Sequence, residues 1–125
     1  MSHPVVIGLD IGGSSVKCLV VEADASGAHP PAALVREQHP SPGERPVEYL
    51  IELVHRLTGD RPVASLTVSV PGIIDPGTGA VLRSTNVPTL DGCPLRDALA
   101  DVLGCPVEVM NDGQAAAIAE ALWGA

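Results

Sequence analysis

Val5-Val6-Ile7-Gly8-Leu9-Asp10-Ile11-Gly12-Gly13-Ser14-Ser15 is the stretch whose reading decides the fold. The apolar, β-branched start reads as a buried strand that runs into a carboxylate, two glycines and two hydroxyls. Glycines without a Cβ let backbone N–H groups approach a phosphate closely, and serine hydroxyls add short donors. A carboxylate at the strand's end can hold a hydrated Mg²⁺ against that phosphate. The stretch lacks the Gly-Lys-Ser/Thr ending of a Walker loop and the third glycine of a dinucleotide fingerprint. A second apolar run, Val16 to Glu22, follows at once, so the loop reads as the turn of a β-hairpin. An ordinary Gly-Gly hairpin without a ligand is the other reading of the same residues.

Composition narrows the class. With 125 residues the chain is read as one domain, able to bury roughly two-thirds of its unfolded surface. Apolar residues make up 46% but aromatics only 2%, with no Phe, so the core must be built from Val, Leu, Ile and Ala. The net charge of −8 and a pI near 4.7 argue against a nucleic-acid partner, which requires clustered Lys and Arg. Cys18, Cys93 and Cys105 are widely spaced and form no CxxC or Cys/His pair, so zinc within this chain is not expected and a reducing cytoplasm fits. No apolar run approaches a membrane span and no signal-peptide pattern is present, so a cytoplasmic protein without a membrane partner is expected.

Along the chain, strands are expected at Val5 to Asp10, Val16 to Ala23 and Ala32 to Gln38, with His39 to Pro46 as a surface loop. A helix follows from Pro46 to Thr58, with proline in its first turn, Gly59 as its stop and an apolar stripe of Val47, Leu50, Ile51, Val54 and Leu57. Val63 to Val70 is a fourth strand, closed by Pro71-Gly72. The turn Asp75 to Gly79 sets up a short strand at Ala80 to Arg83. A helix at Leu95 to Leu103, stopped by Gly104, precedes an apolar strand, Pro106 to Met110, that ends on Asn111-Asp112. Gly113 to Trp123 reads as an alanine-dominated helix.

In this order the first three strands can meander antiparallel, and the later ones return through helices and become parallel. Ligands of open α/β sheets bind beyond the carboxyl ends of such strands. Asp10-Ile11-Gly12-Gly13, Pro71-Gly72 and Asn111-Asp112 all fall there. One Asp supporting a metal and a second accepting a hydroxyl proton would suit phosphoryl transfer. Asp112 also has a purely structural reading as a helix N-cap.

The ordered set Gly8-Leu9-Asp10-Ile11-Gly12-Gly13-Ser14, Val70-Pro71-Gly72-Ile73-Ile74-Asp75, Thr85-Asn86-Val87-Pro88 and Asn111-Asp112-Gly113-Gln114-Ala115 resembles the N-terminal lobe of a ROK-family sugar kinase, such as a glucokinase. The resemblance spans nearly the whole chain. It implies an α/β lobe of the actin-like ATPase, ribonuclease H-like type, with a mixed five-stranded sheet in the order 3-2-1-4-5 and helices on both faces. It implies a transferase that moves a phosphoryl group from ATP or polyphosphate to the primary hydroxyl of a hexose. On this resemblance Gly12, Gly13, Ser14 and Ser15 hold the donor phosphates, with Asp10 toward Mg²⁺. Gly72, Asn86, Asn111 and Asp112 face the sugar, and Asp112 is the base. Lys17 lies on the face of Ser15 and either reaches the phosphates or is a solvated strand lysine.

Two departures from the family pattern stand out. Ser14 replaces the usual threonine after the glycine pair and keeps the hydroxyl. Leu90 stands where family kinases often carry a tryptophan, which leaves the sugar open. The sequence stops at Trp123-Gly124-Ala125, whereas family kinases continue into a second lobe with the nucleotide site and a structural zinc motif. A piece of a longer, homodimeric protein, inactive by itself, is therefore expected. A sugar-responsive transcriptional regulator would carry a helix-turn-helix segment where only Met1-Ser2-His3-Pro4 stands. A non-kinase actin-like ATPase lobe is disfavoured by Thr85-Asn86-Val87-Pro88.

Overall fold

In the computed structural model the described residues are 3–23 and 33–112. The element order is β1 (Val5–Ile11), β2 (Ser15–Glu22), β3 (Ala33–Pro40), α1 (Pro46–Thr58), β4 (Val63–Val70), β5 (Gly72–Ile74), β6 (Val81–Ser84), a 3₁₀ turn (Pro88–Leu90), α2 (Leu95–Leu103) and β7 (Val107–Asn111). One five-stranded sheet has the order β3-β2-β1-β4-β7, and β5 and β6 form a two-stranded sheet of their own. The spatial order is the one read from the sequence. Its fifth strand is seventh in the chain because the β5–β6 hairpin intervenes.

The sheet is mixed for the reason given by connection length. β1–β2 and β2–β3 are antiparallel, whereas β1–β4 and β4–β7 are parallel. The crossovers through α1 and through α2 step in the same direction across the sheet, and the two helices pack into the same core and touch each other. The helix expected over Gly113 to Trp123, and with it any cover on the second face, lies outside the described residues.

Alternation along the strands decides what is buried. Val5, Ile7, Leu9 and Ile11 of β1, Val16, Cys18 and Val20 of β2, and Leu66, Val68 and Val70 of β4 point to the helical face and are buried. Against them pack Leu50, Leu53, Val54 and Leu57 of α1 and Leu95 and Leu99 of α2. The residues between them, Gly8, Asp10, Lys17 and Thr67, lie on the other face. Leu53 belongs to the core although the expected stripe omitted it, and Tyr49, off that stripe, donates its phenol to the Pro40 carbonyl. Both helices stop at glycines with positive φ, Gly59 at 59° and Gly104 at 66°.

β3 runs two residues further than expected. His39 and Pro40 continue the ladder opposite Val16 and Ser15. Proline is tolerated there because β3 is an edge strand and owes no N–H to a further neighbour. This extension delivers the next residue, Ser41, to the β1–β2 turn.

The β5–β6 hairpin is exceptionally close at one point. Gly72 pairs with Ser84, and a Cβ on Gly72 would sit 2.0 Å from the Arg83 carbonyl oxygen. Gly72→Ala should therefore destabilise the fold by about 1–3 kcal/mol through overpacking. Urea unfolding of the variant checks this, and a wild-type midpoint would show that the two strands do not need the glycine.

Candidate active site

The parallel register places the site. Asp10 of β1 lies beside Ser69 of β4, which lies beside Met110 of β7, and Val70 lies beside Asn111. The carboxyl ends of β1, β4 and β7 therefore share one edge. Asp10 and the Asn111-Asp112 pair stand two strands apart, on the order of 10 Å. That spacing leaves room for a phosphoryl group and an attacking hydroxyl between the two carboxylates.

Asp10 is exposed, and its cross-strand neighbour is Lys17. The sequence placed Lys17 on the face of Ser15, and the strand pattern agrees, since both lie off the core. No ion pair joins Asp10 to Lys17 among the described residues. An exposed carboxylate at a strand end suits Mg²⁺, which typically keeps several waters and takes one or two protein carboxylates plus phosphate oxygens.

The turn itself is a tight one. Gly12 N–H donates to the Ser15 carbonyl at 2.8 Å, leaving Gly13 and Ser14 at the tip, both exposed. Neither Gly12 nor Gly13 has positive φ, so the glycines are not there for a left-handed backbone. Gly13 serves close approach instead, because a Cβ on it would sit 3.0 Å from the Asn86 Cβ. The expected phosphate turn and the expected sugar residue Asn86 are thus in direct contact.

Asn86 sits on a loop secured at both ends. Thr85 N–H donates to the Pro71 carbonyl at 3.1 Å, which ties the loop to the end of β4. Asp91 closes the other end, its Oδ1 accepting from the Ser84 N–H at 2.6 Å. Val87 and Leu90 are buried beneath it, so Leu90 serves the core and does not line the exposed side of the loop. Gly72, on the same segment as Pro71, has a full structural explanation in its contact with Arg83. Asn111 ends β7 partly buried, and Asp112, the last described residue, follows it exposed.

Two residues near the site escaped the sequence reading, Asp91 and Ser41. Asp91 followed the Asn86 motif without a pattern of its own. Ser41 lay in a segment read as surface loop, although its Pro40-Ser41-Pro42 setting signals a stiff connection.

The cysteines take no part. Burial pushes the Cys18 thiol up to about 11, with the nearby Glu37 carboxylate adding to it, and burial also raises Cys93 and Cys105. All three stay protonated at neutral pH and are poor nucleophiles and ligands. Among the described residues no cluster of three His, Cys, Asp or Glu forms, and no helix is long and apolar enough to cross a membrane.

Comparison with known proteins gives a consistent result. The ROK family profile matches residues 6–125. An N-acetylmannosamine kinase of Escherichia coli O6:H1 is 28% identical over 118 residues, covering 93% of this chain and 38% of that protein. A ROK family glucokinase from Streptomyces griseus, solved in complex with glucose and AMPPNP, superposes with a TM-score of 0.79 at 29% identity, covering 97% of this chain and 37% of that one. An inorganic polyphosphate/ATP-glucomannokinase from Arthrobacter superposes with a TM-score of 0.74 at 31% identity, covering 98% of this chain and 50% of the other. The chain thus spans well under half the length of the curated relatives it matches. With the mixed sheet, the Gly-Gly turn at the end of β1 and the Asn86 loop against it, this chain belongs to the ROK family.

Proposed function

We propose that this chain is the N-terminal lobe of a two-lobed sugar kinase, which transfers the terminal phosphoryl group of ATP or polyphosphate to the primary hydroxyl of a hexose such as glucose. The observation that carries the reading is the contact of Gly13 with Asn86, which puts a donor-type turn and an acceptor-type amide side by side at one sheet edge. Donor and acceptor must be held together for transfer, and a second lobe closing over this shelf would exclude water.

In this reading the amides of Gly13 and Ser14 and the hydroxyls of Ser14 and Ser15 bind the donor phosphates. Lys17, one strand position behind the turn, adds positive charge to them. Asp10 would hold Mg²⁺ through its waters, and the ion would supply neutralisation of the phosphate charge. Asn86 and Asn111 offer both donors and acceptors to sugar hydroxyls, and Gly72 presents backbone beside them. Asp112 accepts the proton of the attacking hydroxyl, a contribution of about 10²–10⁴-fold. The relatives' named substrates, N-acetylmannosamine and glucose among them, define the class of acceptor to try. A homodimeric, cytoplasmic protein is part of the same proposal.

Asp112→Asn in the full-length protein should lower kcat by at least about 10²-fold while sugar binding persists, since the amide keeps hydrogen bonds but cannot take the proton. Stopped-time kinase assays beside sugar calorimetry check this, and turnover near wild type would remove Asp112 from the role. Gly13→Val should abolish donor use, because its branched side chain enters both the phosphate space and the Asn86 contact. A folded variant with an unchanged donor KM would make the turn a structural hairpin only.

A further inference from the structure

The segment between β3 and α1 makes the most specific contacts with the phosphate turn. Ser41 donates its hydroxyl to the Gly12 carbonyl at 2.6 Å, across 29 residues of sequence. Its backbone N–H donates to the Ser14 carbonyl at 3.3 Å. With Gly12 N–H on the Ser15 carbonyl, protein donors hold three of the turn's carbonyls, two of them through Ser41. The amides of Gly13 and Ser14 donate to no acceptor among the described residues. This division matters because an anion is attracted by peptide N–H groups and repelled by carbonyl oxygens. The Gly12 carbonyl and the Gly13 N–H belong to one peptide plane, so a rotation of that plane would exchange one for the other at the tip.

Ser41 is itself held in place. Pro40 and Pro42 flank it, and a residue before proline is confined to extended backbone. Pro42 is buried. The Tyr49 phenol donates to the Pro40 carbonyl, which ties this segment to α1, whose next residue, Leu50, is fully buried in the core. Packing of α1 is thereby transmitted through Tyr49, Pro40 and Ser41 to the peptide planes of the turn.

We propose that Ser41 is a positioning residue of the donor site: its hydroxyl fixes the Gly12 carbonyl inward, so that the Gly13 amide of the same peptide plane faces the donor phosphates, and its N–H keeps the Ser14 carbonyl turned away from them. The inference rests on the reading of this turn as the donor site and adds what preorganises it. Ser41 acts through the turn and needs no contact with the donor. Its hydroxyl carries no charge, so its effect falls on affinity for phosphate and not on the proton transferred from sugar.

The test uses the full-length protein with Ser41→Ala and Ser41→Thr, and calorimetry with Mg-AMPPNP, tripolyphosphate and glucose as probes. Ser41→Ala should weaken Mg-AMPPNP and tripolyphosphate by about tenfold, the loss of one hydrogen bond, with glucose affinity unchanged. Ser41→Thr keeps the hydroxyl and should stay within about twofold of wild type. Wild-type phosphate affinity in Ser41→Ala, or equal losses for glucose and phosphate, would overturn the proposal. If Ser41→Ala does not fold, a Ser41→Thr variant that folds yet loses phosphate affinity more than tenfold would overturn it as well, and retention of affinity would support it. Ser14→Asp separates the two readings, because its carboxylate at the exposed tip repels phosphate without touching Asn86. If Ser14→Asp also binds as wild type, the donor-site reading fails. If Ser14→Asp loses binding and Ser41→Ala does not, only the role of Ser41 fails.

Discussion

Parallel pairing of β1, β4 and β7 is the constraint on which the rest of the lobe depends. It brings three chain segments, separated by up to a hundred residues, to one edge with their carboxyl ends aligned: Asp10, Pro71-Gly72 and Asn111-Asp112. Because side chains alternate, a slip of one residue in β1 would turn Asp10 into the core and Leu9 or Ile11 into solvent. The register is held by burial. Val5, Ile7, Leu9 and Ile11 all face α1 and α2, each worth about 1.5–3 kcal/mol on burial. The same hydrophobic packing that stabilises the sheet therefore fixes where the carboxylates stand.

Glycine is used here for two different purposes. Gly59 and Gly104, with positive φ, end the helices, which is a local backbone need. Gly13 and Gly72 have ordinary φ and instead make room for another segment, Asn86 in one case and the β6 backbone in the other. At Gly13 the close approach seats the β1–β2 turn against the Asn86 loop. At Gly72 it lets β5 and β6 come together, and the Thr85 N–H on the Pro71 carbonyl ties the Asn86 loop to the end of β4. Close approach without a Cβ is what brings the β1–β2 turn, the Asn86 loop and the β5–β6 hairpin together at this edge.

The sequence by itself determined the order of the longer strands and of α1 and α2, because apolar periodicity, Pro46, Gly59 and Gly104 are local signals that need no partner, whereas the three-residue β5 and the 3₁₀ turn carry no such signal. It also determined the family, since four motifs in order carry more information than any one of them, and the strand-end position of Asp10. The tertiary structure alone decided which residues touch. Nothing in Gly13 or Asn86 announces their contact, and Leu90, which stands at the family's tryptophan position, is sealed in the core. Leu53 of α1 joins the core although the expected stripe omitted it, and Tyr49, off that stripe as expected, reaches the end of β3. Ser41 was invisible because a short serine-proline segment reads as loop until the edge strand carries it across 29 residues to the Gly12 carbonyl. Local propensity is written into neighbouring residues, whereas contact depends on how the whole chain closes its core.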